Sequence, residues 1–74
     1  MGNPLYKLPV GVNLPAKYKK TINSRRLFIE GAQDGLAGRA LTPEFKRELL
    51  KHQGDTAWQA YNEGHAAGTK ARAK

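Results

Sequence analysis

An all-α fold, a small helical hairpin or three-helix arrangement with an extended Pro-rich N-terminal arm, is what this sequence predicts. Two observations carry the prediction. Prolines 4, 9 and 15, with Gly2 and Gly11, keep the first stretch out of helix. From residue 23 onward apolar residues recur at helical spacing between recognisable start and stop signals. At 74 residues there is room for one small domain, in the size range where a single core yields only a few kcal/mol of net stability.

The elements follow in order. Residues 1–22 form the arm, residues 23–69 the helical domain and residues 70–74 a basic tail. Ser24 is the expected N-cap of a first helix over 24–38, in which Leu27, Phe28, Ile29, Ala32 and Leu36 share a face. Thr42-Pro43-Glu44 opens a second helix over 43–53: a cap hydroxyl, a proline at the first helical position and an acid at the positive end of the dipole. Phe45, Leu49 and Leu50 give that helix its buried side, and Gly54 stops it. Asp55 is the expected cap of a third helix over 56–69, with Trp58 at the centre of the core because large side chains are few.

The first and third helices share the pattern aromatic-x-Glu-Gly-x-x-x-Gly, from Phe28 to Gly35 and from Tyr61 to Gly68. Each interior glycine costs a helix about 1 kcal/mol relative to alanine, so four of them need a reason. Close backbone approach supplies one. Gly31 and Gly35 make a flat notch on one helix, Gly64 and Gly68 a notch on the other, and Phe28 and Tyr61 lie one turn earlier to complete an antiparallel contact.

Charge is distributed unevenly. The net is +7, yet residues 1–29 hold six bases and no acid, whereas residues 30–69 hold six acids and four bases. Such clustering points to a polyanionic partner, nucleic acid ahead of a membrane surface. Lys7, Lys17, Lys19, Lys20, Arg25 and Arg26 are the candidate phosphate contacts, with Tyr18 placed to stack on an unpaired base. In the arm, Leu8, Val10, Val12 and Leu14 fall on one side of an extended chain. Two uses of that edge are open: wrapping the chain's own helices, or lying along another macromolecule.

Several classes find no support. There is no cysteine for a disulfide or thiolate site. No apolar run is long enough for a membrane span, no signal-peptide pattern begins the chain, and Tyr6 stands where a myristoylation motif needs Ser or Thr. His52 and His65 lie on different helices without metal-ligand spacing, and the glycines at 31, 35 and 38 lack the strand and the Lys-Ser/Thr pair of a phosphate loop. The expectation is a non-enzymatic protein with no cofactor, metal or small-molecule substrate.

The stretch Gly31-Ala32-Gln33-Asp34-Gly35-Leu36-Ala37-Gly38-Arg39 resembles the first-helix pattern Gly-x-Gln-x-Gly-x-Ala-Gly-Arg of ribosome modulation factors, small basic bacterial proteins. Thr42-Pro43-Glu44-Phe45 stands where that family has its Cys-Pro-Tyr connector, and Ala57-Trp58 through Gly64 where its second helix lies. The resemblance spans residues 28 to about 68, and the arm has no counterpart in it. What it implies is a cytoplasmic protein that contacts RNA of the small ribosomal subunit and modulates translation during ribosome hibernation, with Arg39 added to the contact residues. The alternative is a phage virion protein, its arm packed on capsid or tail subunits and its bases facing packaged DNA.

Overall fold

The computed structural model describes residues 8–73. Among them lie a single 3-10 turn, Ala16–Tyr18, and three α-helices: α1 (Ile22–Ala37), α2 (Pro43–Gln53) and α3 (Asp55–Arg72). The described residues contain no strand, and the fold is all-helical.

Helix α1 starts two residues before the expected position. Its cap is Thr21, whose Oγ1 accepts the backbone N–H of Ser24 at 3.2 Å, while the Ser24 side chain is buried. Of the two hydroxyls three residues apart the outer one is the cap, and its own O–H donates to Ser24 Oγ at 2.9 Å, so the buried Ser24 hydroxyl also has its partner. The stop at Gly38 is a Schellman arrangement: φ is +78°, Gly38 N–H donates to Gly35 O at 3.1 Å and Arg39 N–H to Asp34 O at 2.9 Å. Helix α2 has the expected bounds, with Thr42 Oγ1 accepting from Phe45 N–H at 3.2 Å.

Gly54, at φ +90°, closes α2 and opens α3 in one residue. It takes the cap position expected of Asp55, which instead sits in the first turn as an acid facing the helix dipole. Helix α3 also runs on to Arg72, so Lys70 and Arg72 of the expected tail belong to its last turn, where cations suit the negative end of the dipole.

The glycines set the architecture. A Cβ on Gly31 would lie 2.8 Å from His65 N and closer still to Tyr61 O; one on Gly35 would lie 2.7 Å from Thr69 N and closer to His65 O. Reciprocally, Gly64 meets the Phe28 carbonyl and Gly68 the Ala32 carbonyl, with the carbonyl carbons 2.9 and 2.8 Å from the respective Cβ positions. These pairs advance together along both helices, so α1 and α3 run parallel. The antiparallel contact expected between the notches is replaced by a parallel one, because α2 returns the chain to the starting end. The two glycine patterns are 33 positions apart in sequence, and the contacts interchange under that shift: Gly31 faces Tyr61 as Gly64 faces Phe28. Helices α1 and α3 are thus related by an approximate two-fold axis along their length.

Helices packed this closely leave little volume between them. The core contains Leu27, Phe28, Ala32, Leu49, Ala57, Ala60 and Tyr61, and it is completed by Val12 and Tyr18 from before α1. Trp58 is only partly buried against this core, with Lys46 Nζ 5.0 Å from its ring centroid, so the central position expected for it passes to Phe28.

Replacing Gly64 with Ala forces the helices apart at the Phe28 carbonyl. We expect a loss of about 2–4 kcal/mol, although the same change in an isolated helix is favourable by about 1 kcal/mol. Ala66, exposed on the same helix, is the reference: Ala66→Gly should cost only about 1 kcal/mol. Urea denaturation followed by circular dichroism measures both. Equal, small effects would remove the interlock as the determinant of the fold.

Candidate nucleic-acid interface

The described part of the arm folds back on the helices. Pro9 to Val12 make a turn, with Val12 N–H donating to Pro9 O at 3.2 Å, and Gly11 in the left-handed region at φ +88°. Val12 enters the core, Leu8 and Leu14 pack against it, and Val10 is 98% exposed. Of the two uses open for this edge, the structure assigns three of its four apolar residues to the chain's own helices.

Tyr18 goes the same way. Its ring is buried, with its centroid 5.7 Å from that of Phe28, and its hydroxyl donates to the Glu63 carboxylate. The surface role expected for Tyr18, stacking on a base, is therefore not available in this conformation. Its burial depends on a residue 45 positions away, and that is why sequence patterning did not reveal it.

The candidate bases divide into two groups. Lys17 Nζ lies 3.1 Å from the same Glu63 oxygen that accepts from Tyr18. Arg26 Nε is 3.9 Å from Glu30, and Arg39 is 2.8 Å from Asp34, itself the acceptor of the Tyr61 hydroxyl. Each of these three bases has a carboxylate of the helical domain beside it. Lys19, Lys20 and Arg25 are exposed and make no ion pair among the described residues. Lys7 lies outside the described residues.

The three uncompensated bases flank the start of α1. The first turn of that helix has no acid, so nothing there offsets the positive end of its dipole. Arg25 stands between two concave surfaces. One, of about 580 Å³, is lined by Leu8, Val12, Asn13, Leu14, Lys19, Arg25 and Ile29; the other, of about 350 Å³, by Ile22, Arg25, Arg26 and Ile29. Ile22 is 85% exposed. The sequence signals the bases but not Asn13 beside them, which is brought there by the fold-back of residues 8–14; Ile22 and Ile29 share the α1 face of Arg25 and Arg26 at helical spacing, a signal obscured by placing the helix start at residue 24.

The histidines are occupied locally. His65 Nε2 is 2.7 Å from the Arg39 carbonyl and His52 Nε2 is 3.1 Å from Glu48. Among the described residues no group of three or more His, Cys, Asp or Glu converges as metal ligands would, and no helix is long and apolar enough to cross a membrane.

No family model matches the chain, and comparison with curated proteins and with solved structures likewise finds no match. The residues carrying the resemblance noted above have structural work in this fold: Gly31 and Gly35 admit α3, Gly38 ends α1, and Arg39 pairs with Asp34.

Two tyrosine–carboxylate pairs tie α3 to the arm and to α1, and both have consequences for pH. The Tyr18 hydrogen bond and then Lys17 hold the Glu63 carboxyl below its usual value of 4.5. Burial, then the neighbouring carboxylate, raises Tyr18 and Tyr61 above 10.0. A depressed carboxylate stabilises the fold above its unfolded pKa and loses that contribution as pH falls through the folded value. A raised phenol stabilises below the unfolded pKa and loses it as pH rises through the folded one. Stability should therefore be level near neutrality, decline below about pH 4.5 and decline again above about pH 10. Glu63→Gln should flatten the acid limb, as read from urea midpoints across pH. A Glu63→Gln protein with an unaltered acid limb would show that this carboxylate carries none of it.

Proposed function

We propose that this protein is a non-enzymatic RNA-binding protein that docks on the small ribosomal subunit and modulates translation. The observation that carries the reading is the uneven neutralisation of the candidate contact bases around the start of α1. Lys17, Arg26 and Arg39 each sit beside an acid, whereas Lys19, Lys20 and Arg25, within seven positions of one another, do not. Three exposed like charges at the positive end of a helix repel one another and the dipole. A polyanion removes that cost on binding, since phosphates supply the missing counter-charges and release their condensed cations.

The direction toward ribosomal RNA comes from the motif likeness over residues 28 to about 68. A virion protein anchored by its arm gains less support, because Val12 is in the core and Leu8 and Leu14 lie against it, leaving Val10 as the exposed member of the edge.

The test is co-sedimentation with isolated small subunits, together with RNA affinity measured over a range of salt. With three phosphate contacts, the slope of log K against log salt should be about −2 for single-stranded RNA. Combined reversal of Lys19, Lys20 and Arg25 to Glu should abolish co-sedimentation while leaving the helical circular dichroism spectrum unchanged. Reversed protein that still co-sediments at moderate salt would overturn the reading.

A further inference from the structure

The larger groove has two properties that phosphate binding alone does not require. Its apolar part is the half-buried Leu8 and Leu14, lying over the buried Val12 and Ile29. Its polar part is Lys19 and Arg25, both without an ion pair among the described residues, and Asn13, an exposed amide that can donate and accept at once. A duplex offers such a surface its phosphates and nothing to bury. An unstacked nucleotide offers a base with an apolar face, a hydrogen-bonding edge and a phosphate on either side.

We propose that this groove takes one unstacked nucleotide of a single-stranded RNA: the base against the half-buried Leu8 and Leu14, its edge on Asn13, and the flanking phosphates on Lys19 and Arg25. The occupant follows from charge complementarity and from size. A volume of about 580 Å³ lies within the range that holds a small organic ligand, and the rim is cationic with no acid among the described lining residues. The surface uses aliphatic side chains where single-strand binders commonly use aromatic ones, since no aromatic side chain is among its described lining residues. Most of the lining belongs to the arm and the start of α1, outside the stretch that carries the family resemblance.

This inference rests on the RNA-binding reading above, and the experiment separates the two. Fluorescence anisotropy would be measured with a labelled oligouridylate of about ten nucleotides, the same strand annealed to its complement, a version with abasic sugars, and the matching DNA. The single-stranded RNA should bind about tenfold more tightly than the duplex and the abasic strand, the effect of one well-placed base. Asn13→Glu should weaken it about tenfold, whereas Gln59→Glu, the same charge change on an exposed residue outside the groove, should not. Circular dichroism would verify that both variants fold.

Equal affinity for single-stranded, duplex and abasic RNA, with Asn13→Glu no weaker than Gln59→Glu, would overturn the groove assignment and leave general RNA binding standing. Binding DNA as tightly as RNA, or phosphatidylserine vesicles more tightly than RNA, would also overturn it. No binding to any RNA in dilute buffer would overturn both readings.

Discussion

The fold depends on four glycine faces meeting four carbonyl groups. Gly31 and Gly35 of α1 press against the backbone of α3 at Tyr61 and His65, and Gly64 and Gly68 return the contact at Phe28 and Ala32. Each glycine Cα–H points toward a carbonyl oxygen, a weak interaction made repeatedly along a close interface. In lipid, where small-residue helix pairs are best known, this packing suffices because no hydrophobic drive competes with it. Here it comes with a penalty, since helices that approach so closely leave few positions for the large side chains that bury apolar area. The arm resolves the problem: Val12 and Tyr18 supply apolar volume where the α1–α3 pair is open, and Leu49 from α2 does so elsewhere. The described part of the arm is therefore part of the fold.

That dependence explains why some features were legible in the sequence and others were not. The bounds of α2 are written in local chemistry, Thr42-Pro43 at one end and Gly54 at the other, and they needed no tertiary information. The glycine notches were also legible, because four unfavourable residues at regular spacing require a compensating contact. Their parallel direction was not, since it follows from α2 serving as a return path. The cap of α1 was misplaced between two hydroxyls whose ranking depends on which one is buried. Tyr18 and Trp58 exchanged roles for a similar reason. Tyr18 finds Glu63 and Phe28 waiting at long range, while the indole of Trp58 is left at the edge under Lys46.

Electrostatics connects the scaffold to the surface. The acids lie in the helical domain, and two of them do double duty. Asp34 receives the Tyr61 hydroxyl and pairs with Arg39 at the end of α1; Glu63 receives the Tyr18 hydroxyl and pairs with Lys17 where the arm joins. Each such triad fixes a buried tyrosine whose hydroxyl would otherwise lack a partner, and neutralises one base. Net charge alone would have assigned equal standing to every lysine and arginine of the first 29 residues. Geometry sorts the described ones, and those left over, Lys19, Lys20 and Arg25, are adjacent around the start of α1.

Their adjacency has a physical implication of its own. A chain selected only for stability has easy remedies at the start of α1: an acid in the first turn, or one fewer cation next to the dipole's positive end, each favourable by a few tenths to about 1 kcal/mol. In a domain this small such increments are a sizeable part of the net stability. None is present, and the exposed Ile22 beside Arg25 and Arg26 adds an apolar residue to a surface that solubility alone would make polar. Unpaired charge, an unopposed dipole and uncovered apolar area thus coincide at one end of one helix. A ligand carrying both negative charge and an apolar face relieves all three together, whereas a simple anion relieves only the first two.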